Sequence, residues 1–344
     1  MGLKRKIRVL VVDDSIMFRE VMVRGISQDP SIEVVGTAQD AFSARDKIME
    51  LEPDVMTLDN EMPRVSGVAF LRQIMAAHPL PTVMVTSASA SIFDALDAGA
   101  VDFVGKPNAS QGGSVQIFIQ QMIIKIKIAS TAKVGRYKKS ELVSSSQACA
   151  NKDWVIAIGA STGGTEAILE VVRDLPRDLP GIVIVQHMPP VFTRMYAERL
   201  NNICKLEVAE AKNGDAVVPG KALIAPGGFQ MKLVKERGSY AVRVFEAEKV
   251  NGQAPSVEVL FDSVAEKAGK QAVGIILTGM GGDGANGLLH MRQQGAYTIG
   301  QDEKSCVVYG MPMVAYNIGA VAKQTALSSI SNELLRFLRE RPKC

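Results

Sequence analysis

The chain has 344 residues, 47% apolar and 22% charged, enough for two globular domains with full cores. Its net charge of +3 is not spread over a folded face: residues 1–129 sum to −2, residues 130–152 to +4 and residues 153–344 to +1, which leaves nucleic-acid binding without electrostatic support. Cys149, Cys204, Cys306 and Cys344 form no C-x-x-C pair, and no apolar run nears the roughly 18 residues of a spanning helix, so the expectation is a reduced, cytoplasmic protein with no zinc site, disulfide framework or membrane insertion.

Strands and helices alternate from the start. Ile7 to Val12 predicts a strand and Ser15 to Ile26 a helix; Ile32 to Gly36 and Ala41 to Leu51 repeat the pair. Three more strands, Val55 to Leu58, Thr82 to Val85 and Val101 to Val104, precede helices at Gly67 to Ala77, Ile92 to Ala98 and Val115 to Ile128. Five such units predict a doubly wound, five-stranded parallel sheet over residues 1–129, because right-handed crossovers put helices on both faces. Ligands bind such sheets beyond the carboxyl ends of the strands.

Those ends carry a specific set. Asp13 and Asp14 follow the first strand, Asp59 the third, Thr86 the fourth and Lys106 the fifth. Three converging carboxylates repel, so a hard divalent cation, Mg²⁺, is the expected neutraliser. A Lys and a hydroxyl on neighbouring strands suit the oxygens of a phosphoryl group on Asp59. The stretches V-V-D-D-S (11–15), L-D-N-E-M-P (58–63), Gly67, V-T-S (85–87) and V-G-K-P (104–107) resemble the response-regulator receiver family. The resemblance implies that Asp59 is the phosphoacceptor. It implies metal ligation by Asp14 and Asp59 beside Asp13, with the Glu61 carbonyl as a further ligand. Thr86 and Lys106 would read the phosphoryl group, and Phe103 would hold the aromatic switch position.

Residues 130–152 lose apolar patterning and mix Lys, Ser and small residues. They predict an exposed, partly flexible linker with a solvated basic cluster; the alternative is a role in positioning the domains or meeting an acidic partner.

A second, mostly parallel α/β domain is predicted over residues 153–344. It opens on W-V-I-A-I-G-A-S-T-G-G (154–164), a buried strand from Trp154 to Ile158, a turn at Gly159 and Ala160, and a helix opened by Gly163 and Gly164. Ser161 sits on the strand-to-helix turn in a literal G-x-S-x-G, the nucleophile-elbow pattern, where backbone N–H groups at the helix start can face developing negative charge. The plainer alternative is a Gly-rich connection whose Ser caps the helix. Further strands are expected at Ile182 to Val185, Ala222 to Ala225, Val273 to Leu277 and Ala296 to Gly300, with a hairpin over Gln230 to Lys235 and Tyr240 to Ala247. Helices are expected over Val191 to Ile203 and Val257 to Ala268, from about Leu288, and over Ser328 to Arg341, whose apolar side carries Leu334, Leu335 and Leu338.

A serine nucleophile needs a base, and His suits that work near neutral pH. Of His78, His187 and His290, only His187 follows directly on a buried strand of the second domain. Asp283, the only carboxylate in the Gly-rich loop after the Val273 to Leu277 strand, is the candidate to orient the imidazole. The order Ser, His, Asp differs from the Ser, Asp/Glu, His of α/β-hydrolases, so the expectation is the same chemistry on another topology.

Two rivals stand beside this reading. Gly279 to Gly284 matches G-x-G-x-x-G, with Asp302 or Glu303 near the spacing of a dinucleotide site, but so late a position and the idle Ser161 and His187 count against it. A domain that only binds protein would leave Ser161 inert to serine-directed reagents.

The stretches G-A-S-T-G-G (159–164), V-Q-H-M-P (185–189), I-A-P-G-G (224–228), P-S-V-E-V-L-F (255–261) and L-T-G-M-G-G-D-G (277–284) resemble the chemotaxis protein-glutamate methylesterase family. With the receiver in front, the resemblance covers nearly the whole chain. It implies a phosphorylation-regulated serine hydrolase that cleaves glutamate γ-methyl esters on methyl-accepting chemoreceptors, releases methanol and often deamidates receptor glutamines. A chemotaxis histidine kinase would be the phosphodonor, and the unphosphorylated receiver would restrain the esterase. Mg²⁺ would serve the receiver, and the esterase would need no cofactor. Ser161, His187 and Asp283 fall on the catalytic positions, Thr162 beside the nucleophile and the Met280 N–H on the oxyanion position. The sequence departs from the family at Gln253 and Glu258, where members often carry His and Asp, and at Gln230.

Overall fold

The computed structural model describes residues 5–87, 92–107, 114–135 and 153–340. The chain divides into two compact units, Met1–Arg136 and Tyr137–Cys344. Of the expected linker, 136–152 lies outside the described residues. Among the described residues no helix is long and apolar enough to cross a membrane.

The first unit is a five-stranded parallel sheet in the order β2-β1-β3-β4-β5. Its strands are β1 (Ile7–Val12), β2 (Ile32–Ala38), β3 (Val55–Asp59), β4 (Thr82–Thr86) and β5 (Asp102–Gly105). Between them run α1 (Ile16–Ile26), α2 (Ala41–Leu51), α3 (Gly67–Ala77), α4 (Ile92–Asp97) and α5 (Ser114–Ala129). Local chemistry starts the helices where the sequence predicts. Ser15 and Ser66 accept the N–H groups of Phe18 and Ala69, and Asp40 forms a capping box with Ser43. The central strands β3 and β4 are buried throughout, as a sheet covered on both faces requires.

The second unit is a seven-stranded parallel sheet in the order β14-β13-β12-β6-β7-β9-β8, with a separate antiparallel hairpin of β10 and β11. The strands are β6 (Val155–Ala160), β7 (Gly181–Gln186), β8 (Glu207–Glu210), β9 (Lys221–Ile224), β10 (Gln230–Glu236), β11 (Ser239–Phe245), β12 (Ala272–Ile276), β13 (Tyr297–Gln301) and β14 (Lys323–Thr325). The helices are α6 (Gly164–Val172), α7 (Phe192–Ile203), α8 (Val257–Ala268), α9 (Ala285–Gln293), α10 (Met311–Asn317) and α11 (Leu327–Arg339). From β6 the chain adds β7, then the outermost β8, then β9 between those two, and later returns to add β12, β13 and β14 on the other side. The sheet therefore switches direction between β6 and β12, the place where open α/β sheets bind ligands.

Two sequence expectations are corrected, and three elements were not foreseen. The first strand does not turn at Gly159 and Ala160; it runs through Ala160, because the ladder to β7 continues to the Ala160–Gln186 pair. Edge strands β8 and β14 have too few apolar residues in period to announce themselves, and α10, seven residues with Pro312 in its first turn, is too short to show a helical period. On α11 it is Phe337, not Leu338, that is buried with Leu334 and Leu335; its ring stacks on Tyr297 at 4.0 Å between centroids.

Candidate functional site

The second unit's site is built at the β6–β12 switch. Ser161 follows β6 and His187 follows β7. The two strands are parallel and in register to their last residues, so Ser161 and His187 leave the sheet side by side, roughly 5 Å apart at the backbone. The His187 N–H donates to Ala160 O (3.1 Å) and the Ser161 N–H to Thr278 O (3.0 Å). Ser161 does not cap α6. Gly163 is the N-cap, in the left-handed region at φ +75°, and there is no side-chain cap bond. Close approach makes Gly279 necessary: a Cβ there would lie 2.7 Å from Ser161 Cβ.

Asp283 meets the imidazole. His187 Nε2 lies 2.7 Å from Asp283 Oδ2, with both side chains buried. The same carboxylate accepts Asn251 Nδ2 (2.8 Å), Ser256 Oγ (2.8 Å) and the N–H groups of Val257 (2.7 Å) and Glu258 (3.4 Å). It thus sits on the N-terminus of α8, where unpaired N–H groups and the helix dipole favour negative charge. Ser256, the N-cap of α8, turns its hydroxyl to Asp283 instead of its own helix. Burial opposes the charge most, yet the bonds from His187, Asn251 and Ser256 outweigh it and hold the Asp283 carboxyl below its ordinary range. An ionised carboxylate only accepts, so Nε2 carries the proton and Nδ1 is left as the basic nitrogen. Among the described residues no hydrogen bond joins Ser161 Oγ to His187.

The loop after β12 is pinned against the elbow. Thr278 Oγ1 donates to Thr162 O (3.0 Å) and accepts the Val308 N–H (3.0 Å), and Gln301 Oε1 accepts the Thr278 N–H (2.8 Å). Gly279 O accepts from Gly310 and Met311. Thr162 is buried; Met280, one residue after Gly279, is exposed. Of the two acids offered for the dinucleotide reading of this loop, Asp302 is engaged within its own turn, its Oδ1 accepting from Ser305 N and Oγ. His290 faces Asp262 on α8 (3.1 Å), and His78 ends α3 in the first unit.

Sequence reasoning missed Gln186, Asn251, Ser256, Thr278 and Gln301, whose contacts join segments far apart in the chain. Gln230 and Glu258, noted as departures, have clear places. Gln230 is buried and bonds Glu248 O, Gln253 O and the Ser256 N–H, fixing the loop that carries Asn251. Glu258 Oε2 accepts the Gly284 N–H (2.9 Å) at the start of α9.

In the first unit Asp13, Asp14 and Asp59 bring one carboxylate oxygen each within 4.8 Å of one another. Lys106 Nζ lies 2.7 Å from Asp59 Oδ2 and 3.0 Å from Asp13 Oδ2. Asp59 Oδ1 is buried with no hydrogen-bond partner, an orphaned acceptor of the kind a cation satisfies. Burial pushes the Asp59 carboxyl up, only partly offset by Lys106 and reinforced by Asp13. Burial alone would lower the Lys106 ammonium, but its bonds to Asp59 and Asp13 raise it. Thr86 ends β4 and is buried; Phe103 is buried on β5. The Glu61 side chain accepts from Ser87 Oγ (2.6 Å). Gly67 is forced by the site, because a Cβ there would clash with Asp59 O.

Comparison with known proteins agrees with both halves. The response regulator receiver domain matches residues 9–113, and the CheB methylesterase family matches residues 156–334. A protein-glutamate methylesterase/protein-glutamine glutaminase of Syntrophomonas wolfei is 58% identical over 98% of this chain and 99% of its own length. One from Salmonella typhimurium is 46% identical over 96% of each chain. The crystal structure of the Thermotoga maritima CheB methylesterase catalytic domain covers 54% of this chain and 98% of its own, at 35% identity and a TM-score of 0.52. With a receiver unit ahead of a Ser-, His- and Asp-bearing α/β unit, and such relatives along nearly its full length, the chain belongs to the CheB methylesterase family.

Proposed function

We propose that this protein is a phosphorylation-regulated protein-glutamate methylesterase and protein-glutamine glutaminase acting on chemoreceptors in the cytoplasm. The observation that carries the reading is the 2.7 Å His187–Asp283 contact beside Ser161 at the switch point of the sheet. Ser161 Oγ attacks the ester carbonyl while His187 Nδ1 takes its proton. Asp283 holds the imidazole and stabilises its cation. The proton then passes to the departing methoxide, and methanol leaves. Water, deprotonated by His187, attacks the acyl-enzyme and frees the glutamate carboxylate and Ser161. On a glutamine the leaving group is ammonia. The N–H groups of Met280 and of the Thr162 turn are the proposed oxyanion donors.

In the first unit the proposed phosphoacceptor is Asp59, fed by a chemotaxis histidine kinase. Asp13, Asp14, Asp59 and the Glu61 carbonyl would hold Mg²⁺, which when bound neutralises the crowded carboxylates. Thr86 and Lys106 then bind the phosphoryl oxygens, with Phe103 as the aromatic switch. The test is incubation with receptor membranes carrying labelled methyl esters. Methanol should appear, and faster with a phosphodonor; no methanol under either condition overturns the reading.

A further inference from the structure

Gln186 ends β7 under the catalytic turn, between the two residues that the chemistry needs together. Its side chain is buried, and its Nε2 donates to Ser161 O (2.8 Å) and to His187 O (3.2 Å). A side-chain amide has two N–H bonds, and both are spent on these carbonyls. The other end of the amide is unrewarded: Oε1 is buried with no partner. Its room is made by Gly164, where a Cβ would clash with Oε1. An apolar side chain would fill the space without stranding an acceptor, so packing does not explain an amide here. The donors do. Ser161 and His187 lie on separate loops whose backbones otherwise meet one residue earlier, through the His187 N–H and Ala160 O (3.1 Å), and Asp283 restrains the imidazole.

We propose that Gln186 is a positioning residue that ties the Ser161 and His187 main chains together and so sets the approach of Oγ to Nδ1. This rests on the reading of Ser161 and His187 given above. A small misplacement of reacting groups costs catalysis about 10²-fold, so the loss falls on kcat and not on KM.

The test uses the full-length protein, labelled receptor membranes and a fluorophosphonate probe for Ser161. Gln186→Met keeps the volume and removes both donors. It should lower kcat and the labelling rate about 10²-fold with KM and the thermal midpoint near wild type. Gln186→Glu places a buried carboxyl in the same space. Its neutral form restores one donor, so its rate relative to wild type should climb as the pH falls from about 8 to about 6. A purely structural role predicts that any climb only tracks the folded fraction at each pH. Wild-type labelling matched by Gln186→Met overturns this proposal alone. So does a loss in either variant that only tracks the folded fraction at each pH. A wild type whose activity survives Ser161→Ala overturns the reading of the site, and this proposal with it.

Discussion

Asp283 and Glu258 cap each other's helices. Asp283 accepts the Val257 N–H at the start of α8, and Glu258 accepts the Gly284 N–H at the start of α9. The exchange locks the His187 partner to two helix N-termini at once, and it places two carboxyls in one buried corner.

That corner makes stability pH-dependent. Burial first, then the charges of Asp262 and Asp283, push the Glu258 carboxyl up to about 7. Between its unfolded value of 4.5 and about 7 the native state holds a proton that the unfolded chain has lost, so stability falls as pH rises through that window. The thermal midpoint of the second unit should be higher near pH 5 than near pH 8. Glu258→Gln should flatten that slope by raising the midpoint at the alkaline end. An unchanged slope in the variant would show that another group is responsible.

Ser161, His187 and Asp283 should behave as one device. Ser161→Ala and His187→Ala should each reduce methanol release about 10⁴-fold or more, with the double variant little worse. Multiplicative losses in the double variant would mean that the two residues act independently.

Gly279→Ala adds a methyl group 2.7 Å from Ser161 Cβ and 3.1 Å from Ser161 N. One of the two loops must shift, and the expected result is a fall in kcat of at least about 10²-fold with the fold retained. Circular dichroism and methanol release on the same sample decide this; wild-type turnover would mean that the loops yield without cost.

Asp59 should be the site of a base-labile acyl phosphate. A labelled small phosphodonor should mark the wild type in the presence of Mg²⁺, and EDTA should abolish the mark. Asp59→Asn should remain unlabelled and its methanol release should no longer respond to the phosphodonor. Equal labelling of the variant would move the acceptor elsewhere.

The elements of both sheets were legible in the sequence wherever a strand is buried on both faces and its helix is capped locally. Apolar runs such as Val9–Val12 and Ile182–Val185, and caps such as Ser15, Asp40 and Ser66, act within a few residues of themselves. For the same reason the candidate residues stood out, since chemistry placed after a strand must lie at the sheet's carboxyl edge. Tertiary structure alone decided the rest. Strand order depends on long-range pairing, and it is β6 lying between β12 and β7 that puts Ser161 beside both the His187 strand and the Asp283 loop. Asn251 and Ser256 lie 32 and 27 residues along the chain from Asp283, and Gln186 lies 25 residues from Ser161. No local propensity or periodicity encodes such contacts; they exist only once the packed core has brought the loops to one edge.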